Sequence, residues 1–243
     1  MDWKDRTRLL IKEEKLSLLE NAHVLVVGLG GVGAFAAEML CRAGIGTLTL
    51  VDGDRVEETN RNRQLPALSS TEGKLKTEIL KQRFTDINPD IRIHTVDNFL
   101  FAERTEQLLY EDNYHFVIDA IDTLLPKVIL IIETLRRGVP LVSAMGAGGK
   151  LDPSKVCAAD ISKTSHCSLA KVVRKRLKVY GIESGFQAVF STEVVPDDVS
   201  RVDTNLLFKR TILGTISYMP AIFGCWCAFV CIERLMSGDK FSK

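Results

Sequence analysis

The stretch HVLVVGLGGVGAFAAEML, from His23 to Leu40, decides the fold of this chain. It opens with a short apolar run that predicts a buried strand, and the residues after the turn predict a helix. The turn between them carries four glycines, Gly28, Gly30, Gly31 and Gly33. Glycines between a strand and a helix allow a tight turn and a close approach of the backbone to phosphate. Because a helix N-terminus also offers free N–H groups, we predict a nucleotide phosphate at this turn.

Strand and helix patterns alternate from this stretch to about residue 149. Strands are predicted at TLTLVD, IRIHTV, HFVIDAI and PLVSAM, and helices at 74–84, 103–110 and 127–137. This alternation predicts an α/β fold that is Rossmann-like and doubly wound, with a mainly parallel sheet and helices on both faces.

The alternation weakens in the last hundred residues. A basic helix within 160–178 and a strand at FQAVFST are predicted there, and 194–209 is predicted to be irregular. We find no linker between two independent domains. We therefore expect a single domain over 1–243, with a nucleotide-binding core at about 20–150 and a smaller C-terminal extension at about 151–243.

The composition is ordinary for a folded protein, with 46% hydrophobic residues and 32 basic against 31 acidic side chains in 243 residues. The overall charge therefore favours no class of partner. The first ten residues are too charged for a signal peptide, so we expect a cytoplasmic protein with free thiols. Six cysteines are present but none forms a CxxC pair, so no zinc cage or redox pair is indicated.

An apolar stretch near the C-terminus, 212–232, contains no charged residue. Its length is sufficient for a membrane-spanning helix. We favour a buried helix that packs on the sheet and is interrupted at Pro220, because a single apolar segment at the end of an α/β pattern is more often core. Stable membrane insertion is therefore not expected.

Cationic residues follow the second predicted strand. Asp52 ends that strand, where a carboxylate can accept hydrogen bonds from two ribose hydroxyls, as NAD, FAD and ATP all allow. A helix dipole stabilises an anion by roughly 0.3–1 kcal/mol, whereas like charges about 4 Å apart repel by about 4 kcal/mol. One dipole therefore cannot hold a triphosphate, and side chains must help. The predicted nucleotide-binding set beyond Asp52 is Asp54, Asn60, Arg63, Gln64 and Lys76.

A second acidic pair lies in HFVIDAIDT, at the end of another predicted strand. Mg²⁺ prefers carboxylate and phosphate oxygens, so Asp122 is predicted to hold Mg²⁺ against the phosphates of ATP. Alternatively, a side chain of this segment caps the helix that begins near Leu124, a role that suits Asp119 or Thr123 better than Asp122.

These motifs together resemble the adenylating enzymes that activate ubiquitin and the bacterial sulfur carriers, the ThiF-type superfamily. The resemblance places ribose binding on Asp52, phosphate binding on Arg63 and Lys76, and the magnesium-linked role on Asp122. It implies a homodimer in which Arg8 reaches the neighbouring subunit's site as an arginine finger. Two departures are the missing CxxC zinc ligands and Thr123, where these enzymes usually have asparagine.

The second half of the chain, in GAGGKLDPSKVCAADISKT, LAKVVRKRLK and VFSTE, resembles one branch of that superfamily, the tRNA threonylcarbamoyladenosine dehydratases. The resemblance implies ATP-dependent cyclisation of the threonylcarbamoyl group on a tRNA adenosine through an acyl adenylate, with sulfur-relay proteins as further partners. Three alternatives stay open: adenylation of the C-terminus of a sulfur-carrier protein, an NAD-dependent oxidoreductase, and a non-catalytic tRNA or sulfur-relay adaptor.

The segment KVVRKRLK carries five positive charges on a predicted helix. Leu169, Val172, Val173 and Leu177 are predicted to share one apolar face, which leaves the basic side chains outward. The alternatives are a solvated face and a surface that tracks tRNA phosphates. The predicted nucleic-acid-binding residues are Lys171, Arg174, Lys175, Arg176 and Lys178.

One cysteine in this region is a weak candidate for catalysis. Cys167 follows His166, and a Cys–His pair can form a nucleophile. Adjacent residues seldom pair productively, so we favour a structural role for this thiol. The three cysteines at 225, 227 and 231 lie in the apolar C-terminal stretch and are predicted to be small core residues.

Overall fold

The computed structural model describes residues 2–196, 199–202 and 211–237. The helices of this part of the chain are α1 Asp5–Glu20, α2 Gly33–Ala43, α3 Lys76–Ile87, α4 Ala102–Glu111, α5 Leu124–Arg136, α6 Ser168–Lys178 and α7 Tyr218–Met236. The strands are β1 His23–Val27, β2 Thr47–Val51, β3 Arg92–Val96, β4 Phe116–Asp119, β5 Leu141–Ala144, β6 Val156–Asp160, β7 Gln187–Ser191, β8 Ser200–Val202 and β9 Thr211–Leu213.

Seven strands form one sheet in the order β3-β2-β1-β4-β5-β7-β6. All neighbouring pairs are parallel except β6 and β7, which are antiparallel. The strand order reverses between β1 and β4, which leaves a crevice at the carboxyl ends of these two strands. In doubly wound sheets, ligands bind in this crevice. The predicted Rossmann-like fold is confirmed.

Two apolar cores cover the two faces of the sheet. The side chains of β1 alternate between them, with Val24 and Val26 in one core and Leu25 and Val27 in the other. The first core includes residues of α2, α3 and α7, and the second includes residues of α4, α5 and α6. Because β1 is buried on both faces, its sequence is a continuous apolar run rather than an alternation.

Several predicted boundaries move in the structure. Helix α3 begins at Lys76 rather than at residue 74, because Leu75 pairs with Arg55 in an extended bridge. Helix α5 begins at Leu124, three residues before the predicted start. The prediction missed α1 and the strand β6. It was also wrong that all of 194–209 is irregular, since β8 pairs with β9 in antiparallel register; residues 197–198 and 203–210 of that prediction lie outside the described residues.

Strand β7 pairs with β5, and β6 pairs with β7 at the edge of the main sheet. They lie beyond residue 150, where the sequence predicts that the core gives way to an extension. The sheet therefore runs through that boundary without interruption, while the boundary itself stays a prediction.

The apolar C-terminal stretch forms most of α7, which packs closely on α2. A Cβ on Gly224 would lie 2.5 Å from the Val32 carbonyl oxygen, so the two helices are nearly in backbone contact. Among the described residues α7 is the one helix long and apolar enough to cross a membrane, and 39% of its most apolar window is buried. The predicted interruption at Pro220 is wrong: Pro220 lies in the first turn of α7, where proline is tolerated because its missing N–H has no partner in the helix.

Candidate nucleotide site

The glycine turn lies in the crevice between β1 and β4, and close packing accounts for three of its glycines. Gly28 has a φ of +88°, and a Cβ there would lie 2.7 Å from the Ala120 carbonyl oxygen. A Cβ on Gly33 would lie 1.8 Å from the Gly28 carbonyl oxygen. Gly31 packs against α7, since its Cβ would lie 2.9 Å from the Cβ of Pro220.

Gly30 is less crowded than the other three glycines of the turn. The nearest atom to a Cβ on Gly30 would be Nε2 of Gln64, at 3.8 Å. The Oε1 atom of Gln64 is buried and has no hydrogen-bond partner among the described residues. The N-terminus of α2 has no side-chain cap within the described part of the chain. An uncapped helix N-terminus beside an uncrowded glycine fits a bound phosphate.

Asp52 lies beside this turn and is 8% exposed. Its Oδ2 accepts a hydrogen bond from the Leu29 N–H at 2.6 Å, and its Oδ1 accepts one from the Asp54 N–H at 2.8 Å. Burial raises the pKa of Asp52, while the Lys76 ammonium and the two backbone N–H groups oppose that rise. Each oxygen keeps a lone pair for a hydroxyl group. The role of Asp52 in ribose binding stays a prediction.

Lys76 is held at the same edge of the sheet. Its side chain is 4% exposed, and its Nζ lies 3.0 Å from Oδ2 of Asp54, whose side chain is 52% exposed. The backbone N–H of Lys76 also donates to the Asp54 carbonyl oxygen at 3.3 Å. The structure thus brings together the two predicted residues Asp54 and Lys76. The ammonium group lies next to a carboxylate that faces solvent, where a phosphate can replace or join it.

The loop between β2 and α3 carries the other predicted nucleotide-binding residues. Arg63 is partly buried, and its Nη1 donates to the Thr59 carbonyl oxygen at 3.0 Å and to Oδ1 of Asn62 at 2.8 Å. Asn60 is buried, and its Oδ1 accepts from the Glu57 N–H at 3.2 Å, which caps a 3₁₀ turn. The structure therefore gives Asn60 a local role in shaping the loop. Nucleotide binding by Arg63 and Asn60 stays a prediction.

Sequence reasoning missed a buried ion pair at the end of β4. Asp119 and Lys127 are both 0% exposed, and their Oδ2 and Nζ atoms lie 2.8 Å apart. The alternative interpretation, in which Asp119 or Thr123 caps α5, is wrong: Thr123 is the residue at the cap position, and its side chain makes no cap hydrogen bond in the described structure. Asp122 is exposed next to this pair and accepts a hydrogen bond from Oγ1 of Thr123 at 3.4 Å. A lysine within the apolar run LLPKVILII was the signal that could have revealed the pair.

The described residues contain no group of three or more His, Cys, Asp and Glu side chains that could hold a metal ion. The one predicted ligand, Asp122, lies three residues beyond the end of β4, in the segment whose Ala120 packs against Gly28. A single protein carboxylate suits Mg²⁺, which usually keeps several waters and takes its other ligands from substrate phosphates. The residues present therefore fit Mg²⁺ bound through a nucleotide and do not form a site for a metal ion alone.

Arg8 lies on α1 and is partly buried. Its Nη2 lies 3.0 Å from Oδ2 of Asp2, its Nε lies 2.6 Å from Oε2 of Glu13, and it also pairs with Asp5. These partners all lie on α1 or just before it. The predicted reach of Arg8 into a neighbouring subunit concerns a second chain and stays a prediction.

The basic helix α6 is present, but two of its residues differ from the prediction. Val172 is 40% exposed, and the buried face instead carries Ala170, Val173 and Leu177. Arg174 does not point outward freely: its Nη1 donates to the Thr164 carbonyl oxygen at 3.0 Å. Helix α6 packs on the turn that precedes it, and this turn covers the side of the helix that carries Arg174. The remaining predicted residues are exposed, namely Lys171, Lys175, Arg176 and Lys178.

Cys167 lies just before α6, and its side chain belongs to the apolar core beneath α5 and α6. It is 9% exposed, whereas His166 is exposed. This placement agrees with the structural role favoured for the thiol. Cys227 and Cys231 are buried as predicted, whereas Cys225 is exposed because it lies on the opposite face of α7.

Comparison with known proteins identifies, over nearly the whole chain, the family that the sequence motifs resemble. The ThiF family matches residues 5–242. A tRNA threonylcarbamoyladenosine dehydratase from Bacillus subtilis is 45% identical over 199 residues, which are 81% of this chain and 78% of the relative. The structure of the E. coli tRNA N6-threonylcarbamoyladenosine dehydratase, TcdA, in complex with ATP is 37% identical and superposes with a TM-score of 0.88 over 97% of this chain and 95% of the other.

A second structure of that E. coli protein, in complex with AMP, superposes with a TM-score of 0.87 over 97% of this chain and 96% of the other, again at 37% identity. The similarity covers the glycine turn, the loop after β2, the end of β4 and the C-terminal strands and helices alike. The chain belongs to the ThiF family.

Proposed function

We propose that this chain is an adenylating enzyme that uses ATP to cyclise the threonylcarbamoyl group on a tRNA adenosine. The observation that carries the proposal is the buried Lys76 ammonium beside an exposed carboxylate, at the same edge of the sheet as a glycine turn that leads into an uncapped helix. The similarity to a dehydratase that binds ATP, over nearly the whole chain, supports the substrate class. Because the substrate is tRNA, we also propose that the enzyme works in the cytoplasm.

The reaction needs activation because a carboxylate is a poor electrophile. One oxygen of the threonyl carboxylate attacks the α-phosphorus of ATP and pyrophosphate leaves, which gives an acyl adenylate. The neighbouring carbamoyl group then attacks the acyl carbon, the ring closes, and AMP leaves with the original carboxylate oxygen. A proton is released, and the net change in the nucleoside is the loss of water. Positioning and charge neutralisation supply most of the catalysis.

The residues of the site divide this work. The glycine turn and the N-terminus of α2 hold phosphate, Asp52 holds the ribose, and Lys76 and Arg63 neutralise the charge that builds up on the departing pyrophosphate. Asp122 would hold Mg²⁺, which screens the repulsion between phosphate oxygens when bound. No nucleophile of the enzyme is required, in agreement with the buried position of Cys167.

The experiment compares two lysines of the same helix. Lys76→Met should lower the rate of pyrophosphate release about 10²- to 10³-fold, as for the loss of one donor that stabilises transition-state charge. Lys81→Met is the matched control, because Lys81 is exposed on α3 and should leave the rate unchanged. Pyrophosphate is measured with tRNA that carries threonylcarbamoyladenosine, and the cyclic product is identified by mass spectrometry of nucleosides. Parent protein that leaves this tRNA unchanged would contradict the proposal.

We further propose that two copies of the chain form the working enzyme. Helix α1 exposes Leu9 and Leu10, which are 73% and 81% exposed, and the adjoining α7 exposes Phe229, which is 51% exposed. Large exposed apolar side chains on two helices that contact each other favour a protein interface, and closed dimers are the commonest assembly. A second copy seated there would bring Arg8 of one subunit near the other subunit.

The exposed cations of α6 are proposed to contact tRNA phosphates. Lys171, Lys175 and Arg176 project from one helix, and no carboxylate of α6 balances them. Cations of this kind bind nucleic acid mainly by releasing counterions from the phosphate backbone. Sulfur-relay proteins as further partners stay a prediction.

A further inference from the structure

The buried pair Asp119–Lys127 is tied to the backbone segment that carries Asp122. Besides the contact between their charged groups, Oδ1 of Asp119 accepts a hydrogen bond from the Ile121 N–H at 3.1 Å. The Nζ of Lys127 donates to the Ile121 carbonyl oxygen at 2.8 Å. We infer that Asp119 and Lys127 are positioning residues that fix Ile121 from both sides and thereby place Asp122 for Mg²⁺-linked ATP, an inference that rests on the proposed function.

The geometry explains why two bonds suffice. The N–H and the carbonyl of Ile121 belong to successive peptide groups, and each peptide group is planar. Holding both groups fixes the two backbone dihedrals of Ile121, so the Cα of Asp122 has a defined position. Ser143 completes the arrangement, since its hydroxyl donates to Oδ2 of Asp119 at 2.6 Å and all three side chains are 0% exposed.

The same segment contacts the glycine turn. The Ala120 N–H donates to the Val27 carbonyl oxygen at 2.8 Å, which extends the β1–β4 ladder beyond the end of β4. The Ala120 carbonyl oxygen lies so close to Gly28 that a side chain at position 28 would have no room. A shift of Ile121 would therefore change the distance between Asp122 and the glycine turn that is proposed to hold phosphate. The Asp119–Lys127 pair thus sets the position of Asp122, the proposed Mg²⁺ ligand, relative to the glycine turn.

Stability alone does not account for this pair. Two fully buried charges cost desolvation, and well-packed apolar residues often stabilise a core at least as well. Lys127 also lies in the N-terminal part of α5, where the helix dipole disfavours a cation. An ionic pair here is explained by its two hydrogen bonds to the backbone, which apolar side chains could not make.

The test compares Asp119→Asn/Lys127→Met, which removes both charges together, with Glu38→Gln/Arg83→Met. The control pair joins α2 and α3 with Nε of Arg83 2.6 Å from Oε2 of Glu38. Calorimetry measures ATP affinity of the full chain as a function of Mg²⁺ concentration, and AMP affinity without Mg²⁺. In the Asp119/Lys127 variant we expect the Mg²⁺ midpoint to rise about 10- to 100-fold, as when a supporting partner of a metal ligand is removed. AMP affinity and the control pair's midpoint should stay at parent values.

An unchanged Mg²⁺ midpoint overturns the inference, and so does an equal loss of ATP and AMP affinity, which would indicate general damage to the fold. If the double variant does not fold, Asp119→Glu decides by the same measurement, because it keeps the charge and moves the carboxylate by one methylene. The readout needs no tRNA. Parent protein that binds ATP with Mg²⁺ but leaves modified tRNA unchanged would contradict the proposed function and would leave this test valid.

Discussion

Two lysine–aspartate pairs lie at the carboxyl edge of the sheet, and they differ in burial rather than in chemistry. In the first, Nζ of Lys76 lies 3.0 Å from Oδ2 of Asp54, and the aspartate side chain is 52% exposed. In the second, Nζ of Lys127 lies 2.8 Å from Oδ2 of Asp119, and both side chains are 0% exposed. A pair that faces solvent can exchange its partner for a ligand, whereas a fully buried pair cannot do so without leaving a charge unpaired. This difference in burial supports our proposals that the first pair binds a ligand and that the second supports the backbone.

The largest expected effect is a loss of stability, which should be much greater when Lys127 is replaced than when Lys76 is replaced. Lys127→Met leaves the Asp119 carboxylate buried without a cation and should lower the free energy of unfolding by about 3–5 kcal/mol. Lys76→Met leaves Asp54 in solvent and Asp52 with its two backbone N–H bonds, so it should lower the free energy of unfolding by less than Lys127→Met does. Urea unfolding of both variants measures the difference. Equal losses of stability in the two variants would contradict the contrast between the two pairs. Recovery of stability in Asp119→Asn/Lys127→Met would show that the loss in Lys127→Met comes from the unpaired buried carboxylate.

Arg8 extends the comparison to a cation that we propose to act across a dimer. Arg8→Ala and Lys76→Met are each expected to be nearly inactive. After the two variants are mixed and allowed to exchange subunits, one of the two sites in each mixed dimer regains both residues, so about one quarter of the parent activity should return. The activity of the mixture, measured against each variant alone, checks this. No recovery would mean that Arg8 does not complete the partner's site.

The smallest expected effect concerns the basic helix. Lys175→Ala/Arg176→Ala should weaken tRNA binding and reduce the salt dependence by roughly 0.7–0.9 in slope for each phosphate that the helix no longer neutralises. Arg174→Ala is the matched comparison, because its guanidinium is already engaged by Thr164 and should change the slope less. Binding to tRNA over a series of salt concentrations measures both. A parent-like slope in the double variant would leave α6 as a solvated face.

Local sequence patterns predicted the parts of the fold that local physics controls. The apolar run before the glycine turn, the small residues of α2 and the regular spacing of later strands each predicted an element that the structure contains. The predictions failed where long-range pairing decides. Strand β6 is short and only partly buried, and it is held by antiparallel pairing with β7 thirty residues later in the chain. Helix α1 has little periodicity to detect, because only Leu16 and Leu19 are buried.

The candidate site shows the same division. Asp52, Lys76 and the glycines could be found from the sequence, because each follows a predicted strand or opens a predicted helix. Lys127 could not, since a lysine four residues into a helix normally reaches solvent. Only the packing of α5 against β4 shows that this side chain is enclosed and turned back towards Asp119. Likewise, nothing local indicates that Pro220 lies against Gly31, nearly two hundred residues earlier in the chain.

The order of apolar runs, glycines and charged residues along the chain determined the α/β class, the glycine turn between β1 and α2, and the family resemblance that the comparisons confirm. The tertiary structure alone decided which of the charged residues are enclosed. It placed one lysine at the open edge and another in the core, and it turned Arg174 back onto its own loop. The physical reason is that sequence periodicity records which face of an element is apolar. The surroundings of a charge depend on the elements that later pack against that face.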